Sequence, residues 1–169
     1  VGLEAGVNST VRISLTDGAG RVGENLLGEV ERSIPGSQFL DVTALGRKAV
    51  RLPGTRSPFA GRLEINAGQN TSTPVHLSLS DPERGTIISL DYGSVAVGPG
   101  IVASLAIGPG SEDAGYAIQI DENGDGSAER VIFPDSVAST DLDITEPGAV
   151  GDLRADGQPR LLGVLGDDA

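Results

Sequence analysis

Apolar residues in this chain come in short runs that alternate with polar ones, and glycine or proline interrupts almost every run. Val11, Ile13 and Leu15 alternate with Arg12 and Ser14; Val75, Leu77 and Leu79 alternate with His76 and Ser78. Residues 61–66 place Leu63 and Ile65 on one side, and residues 101–107 do the same with Ile101, Ala103, Leu105 and Ile107. A period of two lines up one face of a half-buried strand. The interruptions are turn formers: Asp17-Gly18, Ile34-Pro35-Gly36-Ser37, Asp81 to Gly85, and Gly98-Pro99-Gly100. Weaker strand signals cover 48–52, 86–92, 95–97, 116–120 and 130–133, while 24–33 reads as a short helix or a loop. Eight or nine short strands at this spacing predict an all-β protein, an antiparallel β-sandwich of immunoglobulin-like or jelly-roll-like type.

Composition narrows what such a sandwich can do. The 169 residues suit one domain with a real core. Aromatics make up 3% and Trp is absent, so the core must be aliphatic, and stacking platforms for sugars or single-stranded nucleic acid are scarce. A formal net charge of -12 makes nucleic acid and anionic membranes poor partners. With no Cys there is no disulfide framework and no thiolate metal site. No apolar run approaches the length of a membrane-spanning helix, so membrane insertion is not expected. The absence of Met, even at position 1, suggests a processed product or an excised fragment. A sandwich domain is expected over 1–134. Residues 135–169 hold eight acidic residues against Arg154 and Arg160, and are expected to be a linker or tail with one possible strand at 160–165.

The most informative segment runs from Asp121 to Glu129: Asp-Glu-Asn-Gly-Asp-Gly-Ser-Ala-Glu. Calcium takes six to eight oxygen ligands, and a chain that curls around the ion presents them at loop positions 1, 3 and 5. Those positions are Asp121, Asn123 and Asp125. Gly126 at position 6 permits the sharp bend, Ser127 at position 7 offers its carbonyl, and Glu129 at position 9 can close the site directly or through water. Position 12 is Ile132 rather than Glu, and the flanks alternate as strands do. The expectation is therefore a Ca2+ loop between two strands, not a helix-loop-helix site. Magnesium fits less well because it keeps its waters and demands a tighter octahedron. The bland reading is an acidic hairpin turn with no metal, since Asp, Asn and Gly are ordinary turn residues.

Other motifs weigh less. Gly18, Gly20 and Gly23 match G-x-G-x-x-G after a strand, with Asp41 about 20 residues on, as in a dinucleotide fold. But Asp17 stands where the strand should run straight into the first glycine, and no βαβ alternation follows, so a glycine-rich hairpin turn is expected instead. His76 is the single histidine and falls on the polar face of its strand, where a solvent-facing side chain is expected. A triad would need it beside a Ser and an Asp, and spacing selects neither. Asn8 and Asn70 open N-x-[ST] sequons.

Three segments resemble, in order, a β-sandwich module found at the C-terminal end of secreted bacterial and archaeal proteins, often behind a hydrolase domain. The strand leading into Thr16-Asp17-Gly18-Ala19-Gly20-Arg21-Val22-Gly23 is similar to that module's D-x-x-G-R-x-x-G turn. Ser33-Ile34-Pro35-Gly36-Ser37 is similar to its E-I-P-G-S step, and the loop with Asp121, Asn123, Asp125 and Gly126 to its D-x-D-G-D-G-x-x-D loop. The resemblance spans about residues 9–134 and implies Asp121, Asn123, Asp125 and Glu129 as calcium ligands, with Glu129 in place of the usual Asp. It implies no catalytic residues.

Two roles follow as expectations. One is a non-catalytic, extracellular or cell-surface accessory module, stabilised by calcium, whose partner is protein: a neighbouring domain or identical subunits. The other is a self-assembling subunit of a surface fibre or layer, in which 1–9 or 160–165 adds a strand to the open sheet edge of the next copy.

Overall fold

The computed structural model describes residues 2–53, 60–81 and 85–141. They form two antiparallel sheets packed face to face, the expected sandwich, with thirteen strands rather than eight or nine. In chain order the strands are β1 (Leu3–Asn8), β2 (Arg12–Asp17), β3 (Gly20–Glu24), β4 (Val30–Arg32), β5 (Gln38–Val42), β6 (Arg47–Leu52), β7 (Gly61–Asn66), β8 (Thr71–Asp81), β9 (Thr86–Val97), β10 (Val102–Ile107), β11 (Ile118–Asp121), β12 (Arg130–Ile132) and β13 (Ser136–Asp141). One sheet has the order β13-β9-β8-β1-β6-β5, the other β12-β11-β10-β7-β2-β3-β4. No helix among the described residues is long and apolar enough to cross a membrane.

The alternating residues point where their period requires. Ile13, Leu15, Leu63, Ile65, Ala103, Leu105, Ile118 and Ile120 of one sheet meet Leu3, Ala5, Val50, Leu52, Val75, Leu77 and Leu90 of the other, all buried. The core is aliphatic apart from Tyr92 and Tyr116. Register locks this in: Leu15 lies across from Leu63, and Leu63 from Leu105, so a one-residue slip would turn every one of these side chains to solvent.

Several expectations change. Residues 24–33, read as helix or loop, make a turn and the short strand β4. Within 1–9, read as an end that could pair with another copy, Leu3–Asn8 form β1, which sits inside the six-stranded sheet with β6 on one side and β8 on the other. Its Leu3, Ala5 and Val7 are core, and such a strand reads weakly because Gly6 breaks its sequence signal. Past residue 134 the sheet continues: Ser136–Asp141 pairs with β9 along its whole length. The proposed strand at 160–165 and the rest of 142–169 lie outside the described residues, as does part of the 81–85 turn.

The G-x-G-x-x-G match is a hairpin. The Asp17 carboxylate accepts the N–H groups of Ala19 at 2.7 Å and Gly20 at 3.1 Å, closing the turn between β2 and β3. Gly23 has φ +110°, and a Cβ there would fall 2.2 Å from the Ile13 carbonyl oxygen, so glycine is required by strand packing rather than by a phosphate. The first two segments of the resemblance also touch: Arg21 donates its N–H to the Ser33 hydroxyl at 2.8 Å, and Ser33 donates its N–H to the Arg21 carbonyl at 2.8 Å.

Candidate metal centre

The acidic loop is built on a strand anchored in the core. Ile118 and Ile120 point inward, so Gln119 and Asp121 point outward, and the chain leaves the sheet at Asp121. It returns as β12, with Gln119 across from Val131 and Ile120 across from Arg130, and Glu129 donates its N–H to the Ile120 carbonyl at 2.9 Å. Upstream, Tyr116 takes the left-handed conformation at φ +52°, unusual for a non-glycine residue, so the strand expected over 116–120 starts only at Ile118. The buried Tyr92 hydroxyl donates to the Tyr116 carbonyl at 2.7 Å, which pins the entry to β11 against the core. Burial raises the Tyr92 phenol well above its ordinary range, so it stays a donor at any working pH.

Between the two strands the chain winds around its own carboxylates. Asp121 accepts the N–H groups of Asn123 at 3.2 Å and Gly124 at 2.6 Å on one oxygen, and of Gly126 at 2.8 Å on the other. Asn123 accepts the Asp125 N–H at 2.8 Å, and Asp125 accepts the Ser127 N–H at 2.8 Å. Gly124 and Gly126 hold φ of +79° and +91°, the left-handed steps that let this succession of turns close. Glu129 reaches back to accept the Glu122 N–H at 2.6 Å and the Asn123 amide at 3.2 Å.

The outcome is that Asp121, Asp125 and Glu129 each place a carboxylate oxygen within 4.8 Å of the others. These are the three carboxylates among the five expected ligands. Asn123 joins them through its amide nitrogen, with its oxygen turned to the Asp125 N–H, and Ser127 joins through its N–H. Partial desolvation, the largest single influence on Asp121, pushes its pKa up. The N–H groups of Gly126, Gly124, Asn123 and Asp125 together outweigh it, and the carboxyl sits below its ordinary value. Arg130 is committed to Glu122 at 2.5 Å and does not neutralise the three. A carboxylate has about four lone-pair sites, so each of the three retains acceptor capacity beyond the N–H bonds it makes. Three hard oxygen donors on a solvent-facing loop suit a hard divalent cation, with backbone carbonyls or water completing the shell.

Sequence reading missed Glu122, whose side chain holds Arg130 and whose N–H holds Glu129. No composition signal marks such a role. His76 does face outward, and it has a partner: its Nδ1 lies 2.7 Å from Asp91, and Ser136 donates to the other Asp91 oxygen at 3.3 Å. The carboxylate stands between the imidazole and the hydroxyl. Activation of a hydroxyl needs the imidazole in that middle place, so this order does not make a nucleophile.

Comparison with known proteins returns no match: no protein-family model, no curated protein and no solved structure is significantly similar to the chain.

Proposed function

We propose that this chain is a non-catalytic, extracellular accessory or surface module, a β-sandwich whose β11–β12 hairpin is stabilised by Ca2+. The observation that carries the reading is the gathering of the Asp121, Asp125 and Glu129 carboxylates within 4.8 Å in a loop that supplies no cation to them. An ion there cancels their mutual repulsion and ties the loop to the edge of the sheet, which stabilises the folded form by mass action. The ordered appearance of the three resembling segments supports the placement among secreted modules. The acidic surface, with a net charge of -12, suits a saline or calcium-rich exterior where such charge is screened.

Titration calorimetry of the full chain with calcium and with magnesium tests it. Calcium is expected to bind with one site and to raise the melting temperature by roughly 5 °C at saturation, with a smaller shift for magnesium. An unchanged melting curve in EDTA and in millimolar calcium, at low ionic strength, rules the ion out as part of the fold.

A further inference from the structure

The outer face of the seven-stranded sheet carries a cleft of about 580 Å3, a size that ordinarily holds a small molecule. Strand register sets its floor. Arg12 of β2 lies across from Asn66 of β7; Glu64 of β7 lies across from Ser104 of β10, and Ser104 from Gln119 of β11. These positions alternate with the buried Ile13, Ile65, Ala103 and Ile120, so their side chains stand on the outer face. The turns at Leu26, Gly68 and Pro99 and the 124–128 segment line the sides, and Asp121 belongs both to this cleft and to the acidic loop.

Arg12 is the odd group there. The chain has 24 acidic residues against 12 Lys and Arg, yet Arg12 has only neutral partners among the described residues. Its Nη1 donates to the Leu26 carbonyl at 2.9 Å and to Asn66 Oδ1 at 3.3 Å, and its Nε and Nη2 have no acceptor among the described residues. Glycines leave that second edge uncovered: a Cβ on Gly28 would lie 3.3 Å from Nε, and one on Gly68 3.2 Å from Nη2. The Nε–Nη2 edge offers two parallel N–H bonds, the fork that takes a carboxylate. The other arginines of this face are already matched. Arg62 and Arg21 lie 3.2 and 3.7 Å from Glu64, and Arg21 lies 3.7 Å from Glu31 as well. Asp121 turns both its oxygens to N–H groups of its own loop. One positive charge is left over.

Two buried neutral donors face the same space. Asn66 is 4% exposed; Arg12 fixes its oxygen, and its Nδ2 has no acceptor among the described residues. Ser104 is 6% exposed; its oxygen accepts from Arg62 at 2.7 Å, and its own proton has no acceptor among the described residues. Buried polar groups ordinarily find partners, so these donors call for oxygens from outside the chain. Water would answer the two neutral donors but not the charge.

We infer that this cleft binds a small organic monoanion carrying one carboxylate and several hydroxyl oxygens, as a sugar acid does. The carboxylate takes the Nε–Nη2 edge of Arg12, and hydroxyl oxygens of the ligand accept from Asn66 Nδ2 and Ser104 Oγ. No aromatic side chain among the described residues lines the cleft, so charge replaces the stacking on which a neutral sugar depends. A compact dianion suits the site less, because Glu64 and Asp121 lie in the same cleft and only one positive charge is spare. The site shares Asp121 with the candidate metal centre but does not rest on the metal reading.

The test is an NMR titration of the full, isotope-labelled chain in calcium-free buffer at low ionic strength. The probe is galacturonate, with galactose as its neutral counterpart and inorganic phosphate as the compact anion. Calcium is absent throughout, so the result stands whether or not the loop holds an ion. Galacturonate should saturate one site, shifting the amide signals around Arg12, Asn66 and Ser104, and should bind at least tenfold more tightly than galactose or phosphate. Arg12→Lys keeps the charge but loses the fork and should weaken galacturonate at least tenfold. Because Arg12 also ties down the Leu26 turn, a second variant leaves it in place: Ser104→Ala should weaken galacturonate about fivefold with the native circular dichroism spectrum retained. No saturable shift up to about 10 mM galacturonate overturns the proposal and leaves the cleft to water. So do shifts confined to another face, galactose or phosphate binding as tightly as galacturonate, or galacturonate affinity unchanged in both variants.

Discussion

Two sets of carboxylates in this protein live under opposite conditions. Glu24 on β3 and Lys48 on β6 face each other between the sheets, with both side chains 11% exposed. The Lys48 ammonium donates to both Glu24 oxygens, at 3.1 and 2.9 Å, and to the Val11 carbonyl at 3.2 Å. Asp121, Asp125 and Glu129 stand in a solvent-facing loop with N–H groups around them and no side-chain cation of their own. The buried carboxylate carries its counter-charge inside the fold because desolvation would otherwise be prohibitive. The exposed three can leave theirs to the solution. The first arrangement makes stability a property of the chain alone; under the proposed metal reading, the second makes it depend on the ions outside.

The sharpest way to break the comparison is to remove one partner of the buried pair. Lys48→Met leaves Glu24 uncompensated between the sheets and should cost about 3–5 kcal/mol in urea unfolding, calcium or not. Adding Glu24→Leu to that variant should restore most of the loss, since a well-packed apolar pair of similar volume is often neutral or stabilising. If Lys48→Met is nearly silent, the pair is not desolvated as the structure has it.

The loop should behave in the contrary sense. Asp125→Asn removes one negative charge while keeping an acceptor for the Ser127 N–H. In calcium it should bind at least tenfold more weakly by calorimetry, an effect of the size seen when a site loses part of its supporting shell. In EDTA it should melt no lower than the native chain, because repulsion among the three falls. A variant less stable in EDTA would mean that Asp125 serves the fold through its own hydrogen bond.

Tyr92→Phe links the two regions. It deletes a buried hydrogen bond to the residue that leads into β11, and should cost about 1 kcal/mol in unfolding. If the core sets the geometry of the loop, calcium affinity should fall with it, although residue 92 lies in the other sheet. Unaltered affinity would show that the loop shapes itself.

The smallest expected effect concerns Asp91. The hydrogen bond from His76 is the largest influence on it and lowers its pKa below the ordinary 3.8. The folded state thus takes up a proton on this group less readily than the unfolded one. The stabilisation is complete above pH 3.8 and is lost as pH falls through the depressed folded value. Both side chains are about half exposed, so the contribution is small. Melting curves of the native chain and Asp91→Asn should differ slightly at pH 5 and converge near the acid end.

How far the sequence reaches differs by element. β2, β7, β8 and β10 are legible from their alternation because one face is buried and the other wet. β1 is not, since Gly6 leaves only Leu3, Ala5 and Val7 as a signal, yet two long-range partners hold it in the middle of a sheet. β5 gives no strand signal and β13 reads as tail, because edge strands need no strict alternation. In the loop, the positions of Asp121, Asp125 and Glu129 could be taken from spacing, since the curl is made by local Asx turns and two glycines. The inversion of the Asn123 amide toward Glu129, and the hold of Glu122 on Arg130, depend on which groups meet once the loop has closed.

What the chain determines by itself is therefore whatever is local: a period of two, turn chemistry, and oxygen ligands spaced two residues apart, each fixed by φ, ψ and nearest-neighbour hydrogen bonds. The tertiary structure alone decided that Lys48 would answer Glu24, that Asp91 would stand between His76 and Ser136, and that Arg12 would be held by Asn66 and the Leu26 carbonyl. Those outcomes come from pairing strands far apart in sequence, where the free energy of burying a shared face selects the neighbours and no single segment carries the information.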